Sequence, residues 1–204
     1  GIAQDFVKAY AVDPEIRLAG GSSGVISALM IYALENDIID GAIVAGMDKE
    51  CPWRMVPRIA TNREEVMASG QTKLAMISTD SMLGEALDRG YRRLGIVGCP
   101  CHVHAIRKMQ QLNRPRKIVN SIKFVLGLVC GNNCSYTGTE HMIEEVVGVP
   151  LDQVAGVWYR KGEYPGEFTV LTKDGLSFSR SRADYVSHIT LFKRDRCLMC
   201  HDYS

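Results

Sequence analysis

The chain has 204 residues, 46% hydrophobic and 23% charged, enough to bury a substantial core in one large domain or two small lobes. Its 24 basic and 23 acidic side chains leave a net charge of +1, which gives no electrostatic footprint for nucleic acid or for an anionic membrane surface. No apolar run approaches the roughly 18 residues of a membrane-spanning helix, so the expected partners are small molecules or proteins.

Taken in chain order, helix formers over residues 25–36 predict a helix, and the apolar run 38–46 predicts a buried strand ending in glycine. Residues 63–69 and 81–90 read as surface helices, the second closed by Arg89-Gly90, and 94–98 (LGIVG) as another buried strand. A helix follows over 102–112, then a strand over 122–130 and a helix over 137–147 with Thr137 or Thr139 as its cap. Residues 154–171 followed by Lys173-Asp174-Gly175 predict a hairpin with an Asp-Gly turn. Strands alternating with helices predict an α/β fold, a mixed sheet with flanking helices. The polar stretch Asn113-Arg-Pro-Arg-Lys117 is the nearest approach to a boundary. It divides the chain into two lobes of one unit, residues 1–116 and 117–204.

Seven cysteines stand at 51, 99, 101, 130, 134, 197 and 200, and six form three close pairs: Cys99-Pro-Cys101, Cys130-x-x-x-Cys134 and Cys197-x-x-Cys200. Disulfide scaffolds of secreted proteins are usually shorter than about 80 residues, with an even cysteine count and a leader. An odd count in a long chain with no charged-then-apolar leader predicts a reducing, cytoplasmic setting. Three clusters that converge can offer four thiolates, the ligand set of a structural zinc or of an iron–sulfur cluster. Zinc more often uses two Cys-x-x-Cys knuckles, and here one pair has that spacing, which favours iron–sulfur; ordinary core cysteine is the remaining alternative.

Cys99 and Cys101 fall where the strand 94–98 turns into a helix, and Cys130 and Cys134 at the end of the strand 122–130, where open α/β sheets hold ligands. Helix N-terminal amides there are expected to lower a thiol's pKa. Gly20-Gly-Ser-Ser-Gly24, before the first strong helix, reads equally as a phosphate cradle or as a serine N-cap with a flexible lead-in. Gly70-Gln-Thr-Lys73 is a second polar loop, whose lysine can meet a phosphate or a flavin ring as readily as it can face solvent.

The segments GGSSGVISALMIYALENDIIDGAIVAG, PWRMVPRIATNREEVMASGQTK, GIVGCPCHVHAIRKMQ, GLVCGNN and RCLMCHDY, in this order and over nearly the whole chain, closely resemble the coenzyme F420 hydrogenase/dehydrogenase beta-subunit family. That family includes flavoprotein subunits of deazaflavin-reducing hydrogenases and formate dehydrogenases, and a 7-hydroxymethyl chlorophyll a reductase branch. The resemblance implies FAD and a 4Fe-4S cluster at the strand ends, an electron-converting oxidoreductase subunit exchanging hydride with the deazaflavin coenzyme F420, and a redox partner: a hydrogenase or dehydrogenase subunit, or ferredoxin. The runner-up is a ferredoxin-dependent reductase of an organic substrate, suggested by the segment from Tyr159 to Gly166; a zinc-binding interaction module without redox chemistry is a third reading.

Carried over by motif, the resemblance implies that Cys101, Cys130, Cys197 and Cys200 bind the cluster, with Pro100 in the Pro-Cys motif and Asp202 after the last cysteine pair. Gly21, Ser22, Ser23, Gly24, Thr72 and Lys73 match segments implied to contact FAD, and Lys73 with the backbone near Gly98 is positioned to stabilise a reduced flavin's negative charge. Cys99, Cys134 and His102 depart from the family's pattern, and Cys51 matches nothing in it. No catalytic acid or base is assigned.

Overall fold

The strand-forming runs build two separate sheets, and the connections between strands decide how they pair. The computed structural model describes residues 5, 7–20 and 23–202. Two helices, α1 (Pro14–Ala19) and α2 (Val25–Glu35), precede the first sheet, in which β1 (Gly41–Met47), β2 (Met55–Ala60), β3 (Leu94–Gly98) and β4 (Ile122–Gly127) stand in the order β2-β1-β3-β4. A short loop joins β1 to β2, and they pair antiparallel. Helices α3 (Arg63–Ala68) and α4 (Met82–Asp88) lead to β3, and α5 (Pro100–Leu112) and α6 (Arg116–Ser121) to β4. The hairpin reverses the chain at β2 and the α3–α4 connection reverses it again, so β3 is parallel to β1, while the α5–α6 crossover returns the chain in β3's direction and makes β4 parallel to it; the sheet is mixed.

Alternate β1 residues face opposite sides of the sheet. Ala42 and Val44 pack with Met30, Ile31 and Ile39 on the α2 side, while Ile43 joins Leu83, Leu94, Ile96 and Ile106 on the α4 and α5 side. Asp13 caps α1 by accepting from the Glu15 N–H at 2.8 Å and also pairs with Arg63, tying α1 to α3.

The second sheet is an antiparallel meander of β5 (Val154–Lys161), β6 (Glu167–Thr172) and β7 (Ser177–Arg180). It is covered by α7 (Tyr136–His141), a π-helical continuation Met142–Val147, and α8 (Arg182–Ile189). Its core gathers Met142, Ile143, Val157, Tyr159, Phe168, Val170 and Tyr185. A last short helix, α9 (Asp195–Leu198), follows.

The differences from expectation have local causes. The helix expected from His102 begins at Pro100, whose fixed φ suits a first helical position. The strand expected to reach Cys130 stops at Gly127, because its partner β3 ends at Gly98, whose carbonyl accepts the last ladder bond from the Leu128 N–H at 2.9 Å. Neither Thr137 nor Thr139 caps α7: it starts after Ser135, and Thr139 is fully buried with its hydroxyl 2.6 Å from that of Tyr159. Residues 154–171 hold two strands, and the Asp174-Gly175 turn, with Gly175 at φ 88°, joins β6 to β7. The polar stretch at 113–117 connects α5 to α6, and β4 beyond it completes the first sheet. Among the described residues no helix is long and apolar enough to cross a membrane.

Candidate functional site

At the carboxyl ends of β1 and β3 the first sheet opens into a cleft of about 640 Å³, bounded on its other side by β5 and α8. Loops leaving parallel strands diverge there, and the volume falls within the roughly 300–1,000 Å³ of cofactor pockets. Val44 and Ala45 of β1 and Val97, Gly98 and Cys99 at the end of β3 line one side; Ser69–Ala75, Leu128–Asn133, Arg160 of β5 and several α8 residues complete the wall.

Of the residues expected to hold a nucleotide, Ser23, Gly24, Thr72, Lys73 and Gly98 all line this cleft. Gly21 and Ser22 lie outside the described residues. Pro100 is buried at the start of α5 and is not part of the wall. The N-cap of α2 is Gly24, not a serine. Its φ is 69°, and a Cβ there would stand 2.6 Å from the Ile16 carbonyl oxygen, so the turn into α2 demands glycine. No side chain caps this end, and Val25, Ile26 and Ser27 of the first turn border the cleft, leaving helix N-terminal amides beside it.

Lys73 is half-buried, and its ammonium is turned back onto its own loop, donating to the carbonyls of Ser69 (2.7 Å), Gly70 and Gln71 (3.2 Å). Desolvation pushes its pKa down to about 8. The lysine thus shapes the loop that carries Thr72 and Gln71.

The seven cysteines are free thiols. Cys99, the N-cap of α5, and Cys130, in the loop after β4, both line the cleft, and their thiols interact directly. Burial pushes the Cys99 thiol up to about 12, reinforced by Cys130 and Cys101, so desolvation outweighs the helix N-terminus that is expected to favour a thiolate. Burial also raises the Cys130 thiol; Cys99 opposes this, and Cys101, Cys197 and Cys200 add to it. Five cysteines therefore share one electrostatic neighbourhood.

Cys197 and Cys200 reach that neighbourhood because residues 192–194 lie along 133–135. The Ser135 N–H donates to the Phe192 carbonyl at 2.9 Å and the Arg194 N–H to the Asn133 carbonyl at 3.1 Å. Among the described residues no three Cys, His, Asp or Glu side chains are closed into a metal site. The donor type and shared location fit a thiolate-bound cluster in kind. Cys134 is 1% exposed and packed in the second sheet's core, with its N–H on the Leu74 carbonyl at 2.8 Å; burial raises its thiol, and Cys197 adds to the shift. Cys51 sits in the β1–β2 turn, its N–H on Asp48 Oδ1 at 2.9 Å.

Several residues at the cleft lie within or beside the quoted segments but were given no role from the sequence. His102 Nδ1 accepts from the Cys99 N–H at 3.1 Å, and a Cβ on Gly98 would stand 2.8 Å from His102 Cβ, so Gly98 is the space His102 needs to orient Cys99. Asn133 stands 3.9 Å from Cys99 Sγ, and its amide is satisfied with Nδ2 toward the carbonyls of Leu74 (2.7 Å) and Ala75 (3.1 Å), which turns its oxygen to the thiol. Gln71 adopts φ 71°, a left-handed conformation uncommon outside glycine, and its Oε1 is buried without a partner. Asp80, next to cleft-lining Thr79, also has a buried partnerless oxygen; burial raises its pKa and nearby His102 opposes the shift.

The chain matches two family models: the N-terminal domain of the coenzyme F420 hydrogenase/dehydrogenase beta subunit over residues 6–84, and its C-terminal domain over residues 91–204. It is 33% identical over 199 residues to the coenzyme F420 hydrogenase subunit beta of Methanococcus voltae, covering 97% of this chain and 68% of that protein. The subunit of the same name from Methanothermobacter thermautotrophicus is 30% identical over 205 residues, covering 100% and 69%. A chain in the solved F420-reducing [NiFe] hydrogenase complex from Methanosarcina barkeri superimposes with a TM-score of 0.73 at 29% identity, over 95% of this chain. This chain spans 64% of that one.

Proposed function

We propose a function from one established premise: this chain belongs to the coenzyme F420 hydrogenase/dehydrogenase beta-subunit family. On our reading it is an iron–sulfur flavoprotein oxidoreductase subunit that passes electrons between a 4Fe-4S cluster and FAD, exchanges hydride with coenzyme F420, and docks on a redox partner subunit. One observation carries it. Cys99 and Cys130 stand in the wall of the same cleft as Ser23, Gly24, Thr72 and Gly98, and Cys101, Cys197 and Cys200 lie within electrostatic reach of Cys130.

When bound, a flavin supplies two-electron hydride exchange and the cluster one-electron transfer, so the pair converts between the two currencies. The chain's own residues would hold them. Cys101, Cys130, Cys197 and Cys200 supply thiolates. Ser23, Gly24 and the uncapped start of α2 would face a phosphate, while Lys73 keeps the loop of Gln71 and Thr72 in place in the same wall as Gly98. Pro100 fixes where α5 begins, and so the spacing of Cys99 and Cys101. Val129, Leu198 and Met199, respectively 85%, 64% and 74% exposed and adjacent in sequence to these cysteines, offer apolar surface to a partner subunit.

The test is an absorbance spectrum of the anaerobically purified protein, with iron, zinc and flavin assayed on one sample. Flavin bands over a broad absorbance near 400 nm and about four irons per chain are expected; a colourless protein holding zinc overturns the reading. Cys197→Ser should lose most of the iron and Cys51→Ser should retain it, and equal iron in both variants would reject the ligand assignment.

A further inference from the structure

The cleft wall has a second polar region that the cysteines and the glycine-serine loop do not explain. Among the described residues lining the cleft there is no Asp or Glu, whereas Lys73, Arg160 and Arg182 all line it. Lys73 is committed to its own loop. Arg160 and Arg182 are half-buried, and no side-chain hydrogen bond or ion pair among the described residues engages either. Arg160 Nε is fully shielded with no partner.

Tyr185, one turn after Arg182 on α8, lines the same cleft. It is 0% exposed, and its hydroxyl has no partner. The contrast with Tyr159 is informative: that equally buried tyrosine places its hydroxyl 2.6 Å from Thr139 Oγ1. A protein that satisfies one buried phenol and leaves another orphaned, beside an unpaired guanidinium on a cavity wall, has left donors for a ligand. Two unpaired cations with no acid facing them select an anion, and a guanidinium fork matches phosphate geometry.

We propose that Arg160, Arg182 and Tyr185 form a phosphate-binding subsite on the second-sheet wall of the cleft. The phosphate's source is either the dinucleotide itself or a phosphate-bearing second substrate. The subsite stands on the wall's own chemistry; only the naming of its occupant rests on the flavoprotein reading above.

The test measures binding to the nucleotide-free chain by calorimetry, using riboflavin, FMN, FAD, coenzyme F420 and inorganic pyrophosphate as separate probes. The wild type should prefer its phosphorylated ligand over riboflavin by about tenfold or more, and Arg160→Gln and Arg182→Gln should each remove most of that preference while leaving riboflavin unchanged. Loss confined to FMN and FAD identifies the dinucleotide as the source; loss confined to F420 identifies the substrate. Tyr185→Phe should weaken the same ligand about threefold without lowering the melting temperature of the ligand-free chain, because it deletes a hydroxyl that has no partner. If no flavin binds the wild type but pyrophosphate does, and Arg160→Gln abolishes it, the subsite stands and the cofactor reading falls. Unchanged affinity for FAD, F420 and pyrophosphate in both arginine variants would overturn the proposal.

Discussion

Replacing Lys73 by methionine should change how stability depends on pH. The lysine titrates near 10.5 in an unfolded chain and at about 8 in the folded one, because burial penalises the ammonium. Between these values the unfolded chain binds more protons than the folded chain, so the wild type should gain stability as pH rises from about 8 towards 10.5. Below the lower value the cost of burying the charge is fully present. With about 1.4 kcal/mol per unit, the separation corresponds to a ceiling of about 3 kcal/mol. It is a ceiling because the Ser69, Gly70 and Gln71 carbonyls accept from the ammonium and favour its charged form. Between pH 7 and 9.5 the relief should reach at most about 2 kcal/mol. Urea denaturation of the wild type and of Lys73→Met at both pH values isolates the effect, since other titrating groups are common to both proteins. Parallel pH dependences in the two proteins would refute the reasoning.

Gly24→Ala should cost at least about 2 kcal/mol in denaturant unfolding, because a left-handed backbone and a 2.6 Å approach to the Ile16 carbonyl oxygen both oppose a side chain. Gly84→Ala is its control: a Cβ on that α4 glycine meets nothing within 4 Å, so the helix should gain roughly 0.5–1 kcal/mol, and a loss there would undermine both assignments. Tyr159→Phe should destabilise by about 1–3 kcal/mol, since it strands the fully buried Thr139 hydroxyl, and an unshifted melting curve would contradict that bond.

What was legible in the sequence was local. The strand Leu94–Gly98 has the expected bounds, because a short apolar run between turn signals has few alternatives. The helix from Val25 and the hairpin turn at Gly175 follow from equally short-range signals. β2 was not legible. Met55–Ala60 contains Pro57 and Arg58, neither a strand signal; the segment is a strand because it sits at the sheet's edge, where a missing ladder N–H is tolerated. The end of β4 was misread for the opposite reason: Leu128 and Val129 are good strand formers, yet the partner strand β3 ends at Gly98, so the ladder closes on the Leu128 N–H to Gly98 carbonyl bond and Cys130 lies beyond it in the cleft wall.

The candidate site divides in the same way. Cysteine pairs are rare enough in a long chain to be noticed wherever they fall, but their common location depends on tertiary contacts. Cys197 and Cys200 approach Cys130 through backbone bonds between residues 133–135 and 192–194, and those bonds involve no cysteine side chain. Arg182 had no signal at all, and Arg160 entered only as one residue of the segment from Tyr159 to Gly166. A lone arginine in a strand and another at the start of a helix are ordinary solvated residues in sequence; they become neighbours on one wall only when Tyr185 buries its ring against Phe168 and pins α8 onto the second sheet. The tyrosine that carries this packing leaves its hydroxyl without a partner, so one residue both assembles that wall and leaves on it an unmet demand for a ligand.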